Sequence, residues 1–487
     1  MKKNKKLQIL CGALVVVSAA AFGISRIQIK KEKIQSGESV LLSIAEDTAT
    51  SLSWTTDTNE FAFTKNEDGS WTYSGDEAFP VSTTGIETLL ASFTSLESSY
   101  TIEEAEDTSQ YGLDQPVCTI SLTADDTDYT IELGTYSTMD SQRYASIGDG
   151  NVYLLKNDLY ETFDTELSAL IQNDHLPSFD SVSAGTFTGA ANYTFTKEED
   201  DTLSYNTSDT YYTEGKALDT DNVNSYISTI RYLGLSEYAS YNVSEEELQT
   251  YGLDDPALTV EIAYADEDED GNAVEDTFTL ELGVNQEELA AAVKAGTWNE
   301  DGTPAVNADS SDETDGSDTA ETEAETVPTF YGRINGSQII YVLSESTYQS
   351  LIAADYDDLR HSEVLTASFD DITSIDISLE GQVYTLTSDG EEDDKIWSFN
   401  EEEIEIDNFK STFEAIEAAS FTAGNPSDTE EISFTLHLDN EHFPEVTISF
   451  YRYDGNYMIS EVDGEPVSLV SRSSVVDLIE AVHAIVL

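Results

Sequence analysis

The chain has 487 residues, 39% apolar and 10% aromatic, and carries 97 acidic against 21 basic side chains. That much apolar surface excludes global disorder, and the length accommodates about three domains of roughly 150 residues each. Beyond residue 33 only 13 Lys and Arg face 96 Asp and Glu, a field that repels phosphate backbones and excludes nucleic-acid binding.

The N-terminus reads MKKNKKLQILCGALVVVSAAAFGISRIQIKKEK. Leu7 to Ser25 is an uncharged run of 19 residues, about 28 Å of helix, enough to span a bilayer core of about 30 Å. Lys2, Lys3, Lys5 and Lys6 precede it, and Arg26, Lys30, Lys31 and Lys33 follow. With cations on both flanks, the acidic remainder decides orientation: residues 1–33 are expected to be a cytoplasmic tail and signal anchor, with the bulk of the chain extracytoplasmic. Ala19 and Ala21 form an A-x-A pattern, so cleavage after Ala21 competes. The uncleaved anchor is preferred because the apolar run continues past the alanines. Cys11 lies in that run without the small residue before it that lipidation needs. Cys118 is therefore alone in the rest of the chain, which precludes an intramolecular disulfide there; its setting, PVCTISL, reads as a buried strand.

From residue 40 onward the chain repeats itself. In the first unit Ile86, Leu89, Leu90, Phe93 and Leu96 follow helical spacing; in the second Val223, Tyr226, Ile227, Ile230 and Leu233 fall at the same offsets. The third offers Phe409, Phe413 and Ile416. Each predicts an amphipathic helix, with Thr84, Asp221 and Asp407 in N-cap positions and a capping box from Thr84 to Glu87. Alternating strands follow in matching order, CTISLT with LTVEIAY and YTIELG with FTLELG, the latter pair ending on Gly134 and Gly283. Hairpins come next, and Tyr153 and Tyr160, like Tyr341 and Tyr348, are spaced as a strand leading into a closing helix. The third unit keeps this outline from KIWSFN to VVDLIEAV, as a terminal copy drifting from consensus. Trp54, Trp71 and Trp397 fall in front hairpins, where core packing is expected.

The predicted fold is α+β: tandem units of antiparallel strand meanders with packed amphipathic helices, after an N-terminal transmembrane helix. The units span 40–176, 177–362 and 363–487. Between Gly283 and Tyr331 lie 47 residues, and about 297–328 reads as a disordered acidic insertion.

One hexamer returns once per complete unit: Tyr111, Gly112, Leu113, Asp114 and Pro116 in YGLDQP, then Tyr251, Gly252, Leu253, Asp254 and Pro256 in YGLDDP. Upstream stand Thr101-x-x-Glu104 and Ser244-x-x-Glu247, read as capping boxes of short helices. Gly112 and Gly252 then take the left-handed position that ends such a helix. Leu253 packs on Leu248, each Asp hydrogen-bonds local backbone, and the Pro holds the chain extended into the next strand. The hexamer is expected to shape backbone rather than bind a ligand. The third unit has GNPSD at 424–428 instead.

The order Y-G-L-D-x-P, an alternating strand ending in L-G, a Tyr-bearing strand and VYLL resembles the bacterial family known as domain of unknown function 4340, over roughly residues 45–355. That resemblance implies an N-terminally anchored extracytoplasmic protein without established activity. Such proteins are often associated with ABC transporters of the kind implicated in gliding motility or export.

Motifs for chemistry are sparse. The sequence has no G-x-S-x-G, H-E-x-x-H, C-x-x-C, P-loop or G-x-G-x-x-G, so no catalytic residue and no cofactor is expected. The five His, at 175, 361, 437, 442 and 483, are scattered. His437 and Asp439 share a strand face with His442 beyond the turn, a pattern more often a polar sheet face than a metal site. Asp266, Asp268 and Asp270 with Gly271 match the opening of a calcium loop, but Thr277 stands where a bidentate Glu is needed; weak calcium binding is the residual expectation. The reading is a non-catalytic binding or scaffold module, with envelope or transporter proteins as partners and a membrane contact through residues 7–25. A module binding cell-wall glycan or another extracellular ligand is the alternative.

Overall fold

The computed structural model describes residues 33–487 except 201, 268–272, 301, 306–326, 391–394, 422–423, 425 and 427–428. The anchor expected over Leu7–Ser25 lies outside the described residues, and no helix among those described is long and apolar enough to cross a membrane.

Three antiparallel sheets of nine strands each follow one another along the chain, and helices make the fold mixed α+β. Three front strands lead each unit. They are Ala49–Thr56, Glu60–Lys65 and Trp71–Tyr73 in the first; Ser181–Gly189, Tyr193–Lys197 and Tyr211–Thr213 in the second; and Ile372–Leu379, Gln382–Asp389 and Ile396–Phe399 in the third. A crossing helix follows, Thr83–Ala91, Thr220–Arg231 or Asp407–Glu414. A four-strand meander then closes the unit, opening with Cys118–Ala124, Leu258–Glu267 or Glu430–Leu438.

The first meander strand returns to the first front strand, so each unit forms one continuous sheet. Trp54 stands opposite Ile120, Phe187 opposite Val260 and Ile377 opposite Phe434. The same irregularity interrupts all three ladders, between Ala49 and Ser51, Val182 and Ala184, and Ile372 and Ser374. A β-bulge bends and twists its strand, and its recurrence at one ladder position shows that the third segment keeps the sheet of the module while lacking the hexamer.

The crossing helices bury the predicted stripes. Ile86, Leu89, Leu90, Phe93 and Leu96 are buried, as are Val223, Tyr226, Ile227, Ile230 and Leu233, and Phe409, Phe413 and Ile416. Each such side chain contributes about 1.5–3 kcal/mol on leaving water. Trp54, Trp71 and Trp397 are core residues, and Cys118 is fully buried.

Four expectations are corrected. The helices begin earlier than Thr84 and Asp221: Ser82 accepts from the Gly85 N–H, and Asp219 accepts from the N–H groups of Asp221 and Asn222. A side-chain oxygen one half-turn upstream reaches the first free amides, so it captures the cap. The third helix starts at Asp407, behind Ile406, which makes no side-chain cap. Thr101 caps nothing, because Leu96–Glu103 is a strand pairing with both Lys33–Leu42 and Val152–Leu155.

The expected disorder also starts too early. Helix Gln286–Ala295 is capped by Asn285 and ends on Gly296 at φ +77°. Residues 297–300 and 302–305 then fold back, Ala305 N–H donating to Thr297 O at 2.9 Å. Trp298 is buried against Phe330 at 5.3 Å between ring centroids, and Phe330 stacks on Tyr348 at 4.2 Å. Burial of one indole orders the start of the insertion; 306–326 lie outside the described residues.

Finally, packing divides the chain into two compact units: residues through Asp174 with Leu235–Asn242, and His175–Gly234 with Val243–Leu487. Most of the second sheet and the whole third sheet lie in the latter, so the boundary expected at 362 does not separate compact bodies. The connection there is bonded on both sides. Asp219 N–H donates to Leu359 O at 2.9 Å and Val364 N–H to Ile416 O at 3.0 Å. The Arg360 guanidinium lies 3.5 Å from the Phe421 ring centroid and donates to Val467 O at 3.0 Å.

Candidate functional site

The repeated hexamer closes backbone. In the first unit Asp107 caps the 3-10 turn Thr108–Tyr111 through the Ser109 N–H, and Gly112 ends it at φ +72°. Gly112 N–H donates to Ser109 O and Leu113 N–H to Thr108 O. In the second, Gly252 ends Leu248–Tyr251 at φ +66°, with the equivalent pair of bonds to Gln249 O and Leu248 O. Ser244 N–H and Oγ both donate to Glu247 Oε2, at 2.9 and 2.7 Å, which is half of the capping box expected there.

The flanking residues divide in role. Leu253 shares a cluster with Leu248, Tyr331 and Ile340, whereas Leu113 packs with Ile102 and Val152. Tyr111 lies 4.8 Å from the Tyr144 ring and Tyr251 5.0 Å from Tyr331, so each signature Tyr meets the Tyr of its own meander. Asp114 and Asp254 are exposed and do not make the backbone bonds expected of them. After Pro116 and Pro256 the ladder begins at once, Val117 N–H on Leu133 O and Ala257 N–H on Leu282 O.

The strand glycines belong to the same construction. A Cβ on Gly134 would sit 2.2 Å from Tyr111 O, and one on Gly283 would sit 2.3 Å from Tyr251 O. Only a bare α-carbon lets the meander strand pass beneath the turn. Gly252 also borders a cleft of about 300 Å³ with Ala190, Val284 and Gln286.

Asp268 and Asp270 lie outside the described residues, and Asp266 accepts from Ser178 Oγ at 2.7 Å. His437 bonds Asp376 at 3.0 Å and faces Glu445 across the ladder at 3.4 Å, rather than joining Asp439. Thr385 and His437 hold the Asp376 carboxyl below its usual range by hydrogen bonding.

A different histidine gathers acids. His361 lies in the connection between the second and third sheets, and its Nε2 lies 2.7 Å from Asp209 Oδ1. Asp209 is buried and saturated: Asn206 Nδ2 donates to the same oxygen at 3.2 Å and Ser204 Oγ to the other at 2.7 Å. On the opposite ring edge, Nδ1 stands 3.6 Å from Asp219 Oδ2 and 3.9 Å from Glu363 Oε2. Asp219 spends its other oxygen on the helix cap, and Glu363 Oε2 is buried without a hydrogen-bond partner. Burial pulls the imidazole pKa down, but the Asp209 bond and the charges of Asp209, Asp219 and Glu363 outweigh it, leaving the pKa raised. Sequence reading misses this site because its members, at 209, 219, 361 and 363, come together only across the seam.

On the third sheet an open groove of about 710 Å³ is lined by Ala419, Asn456, Tyr457, Arg472, Val476 and Asp477. Tyr457 and Val476 are each 38% exposed and Tyr453 is 56% exposed.

Fold and signature together define a repeat protein whose recurrent motif is a structural closure. Residues 71–256 match the family model described as Domain of unknown function (DUF4340), so the resemblance carried by the hexamers holds over that stretch. The match runs from the third front strand of the first unit to Pro256, the last residue of the second hexamer. No curated protein and no solved structure matches the chain.

Proposed function

We propose that this chain is a membrane-anchored extracytoplasmic scaffold that binds proteins of an envelope or ABC-transporter complex and performs no catalysis. The observation that carries the reading is the open groove on the third sheet. Its rim presents Tyr457 and Val476 on an otherwise strongly acidic protein, and exposed apolar surface of that kind is what protein partners cover. The apolar, cation-flanked run Leu7–Ser25 supports the anchor. The family's signature residues support a non-catalytic role, because they close turns.

Membrane fractionation with protease treatment of intact cells tests the placement, and crosslinking from a probe at Val476 tests the groove. A membrane-bound chain digested from outside, crosslinked to a transporter permease, is the expected result. A chain protected from external protease, or one whose Val476 probe captures no envelope protein, overturns it. The exposed Tyr453 and Tyr457 favour a second reading, glycan binding by ring stacking. Sedimentation with purified peptidoglycan that is lost in Tyr457→Ala would select it.

A further inference from the structure

The nest around His361 presents a chemical problem. Asp209 accepts bonds from Ser204 and Asn206 on its two oxygens, which places Nε2 to donate its proton to the carboxyl. Nδ1 then faces two carboxylate oxygens at 3.6 and 3.9 Å. Both are too far for a hydrogen bond, so a proton on Nδ1 is attracted by their charges without bonding either directly, and a bare lone pair faces both unless a cation stands between. The three ligand atoms lie within 4.8 Å of one another. An ion with bonds of about 2.0–2.2 Å needs tetrahedral ligand atoms about 3.3–3.6 Å apart, a contraction of a few tenths of an ångström at the two imidazole edges and of up to about 1.5 Å at the carboxylate–carboxylate edge.

The surroundings suit that contraction. A buried carboxylate on the far imidazole nitrogen is what orients a metal-ligating histidine. Asp219 is fixed by its cap, and the backbone at Glu363 is held by an antiparallel β-bridge to Glu417. We propose that Asp219 Oδ2, His361 Nδ1 and Glu363 Oε2 bind one divalent ion of the zinc class, with Asp209 as the positioning residue. The ion ties the second crossing helix to the segment leading into the third sheet. One imidazole nitrogen among the ligands disfavours calcium and magnesium, which prefer oxygen. The proposal is independent of the anchored-scaffold reading.

The test uses the full chain, stripped with chelator and titrated with zinc in a large excess of magnesium, which occupies the surface carboxylates. One zinc per chain is expected, with cobalt giving a visible absorption band at the same stoichiometry. His361→Gln should abolish both, and Glu363→Gln should weaken zinc binding by about tenfold or more. His437→Gln, which removes another acid-paired histidine, should change neither. Should His361→Gln fail to fold, Glu363→Gln still decides, because that side chain is 41% exposed. No zinc retained in magnesium, or binding unchanged in Glu363→Gln, overturns the site.

Discussion

Two glycines in each of the first two units show how a single atom decides a backbone path. Gly252 needs its left-handed φ, and Gly283 needs the absence of a Cβ beneath Tyr251 O. Gly283→Ala forces the strand from the turn and should cost about 1–3 kcal/mol as overpacking, read as a lowered denaturant midpoint. A midpoint equal to wild type would show that strand and turn are not in register. Cys118 tests burial directly. Its thiol is pushed up to about 12, first by desolvation, with Asp164 and Asp158 adding to it and Arg143 opposing. The folded state therefore holds the proton more tightly than the unfolded chain, whose thiol titrates near 8.5, and this contribution to stability is lost as pH rises from there toward 12. At about pH 8 an alkylating reagent should leave the Cys118 peptide unmodified in native protein and modify it in denaturant. Labelling in the native state would refute the strand's burial.

Among elements, the crossing helices and bulged front strands are the constant parts of the module, and the connections vary. The first unit passes from meander strand Thr127–Ser137 to Gln142–Ser146 by a short turn, where the second inserts a helix and the Trp298 fold-back. Trp298→Ala should therefore destabilise the protein by about 3–5 kcal/mol, as for a buried large side chain, measured by chemical unfolding. A change below about 0.5 kcal/mol would return the segment around Trp298 to the status of a tolerated surface loop. The helix Gln286–Ala295 was legible in principle, since Asn285 before two Glu, Lys294 near its end and Gly296 after it are terminal signals. An acidic surrounding composition hid it.

At the scale of the whole molecule, charge opposes compaction. A net charge of −76 repels itself in the folded state more than in the expanded one, and salt screens that repulsion within about 10 Å at 0.1 M. Raising sodium chloride from about 0.01 to 0.3 M, where the Debye length shortens severalfold, should raise the melting temperature by several degrees. An unchanged or falling melting temperature would mean that ion pairs such as Arg143–Asp158 at 2.7 Å outweigh the general repulsion.

Taken alone, the sequence determined the repeated α+β module, the helical stripes, the burial of Trp54, Trp71, Trp397 and Cys118, and the glycine that ends each signature turn. These depend on local periodicity and on backbone angles, which neighbouring residues encode. Tertiary structure decided that Gly134 and Gly283 run under the turns, that Leu96–Glu103 is a strand, that most of the second sheet shares one unit with the third, and that His361 faces Asp209, Asp219 and Glu363. Those facts depend on contacts between residues distant in the chain, which only the folded ladders bring within bonding distance.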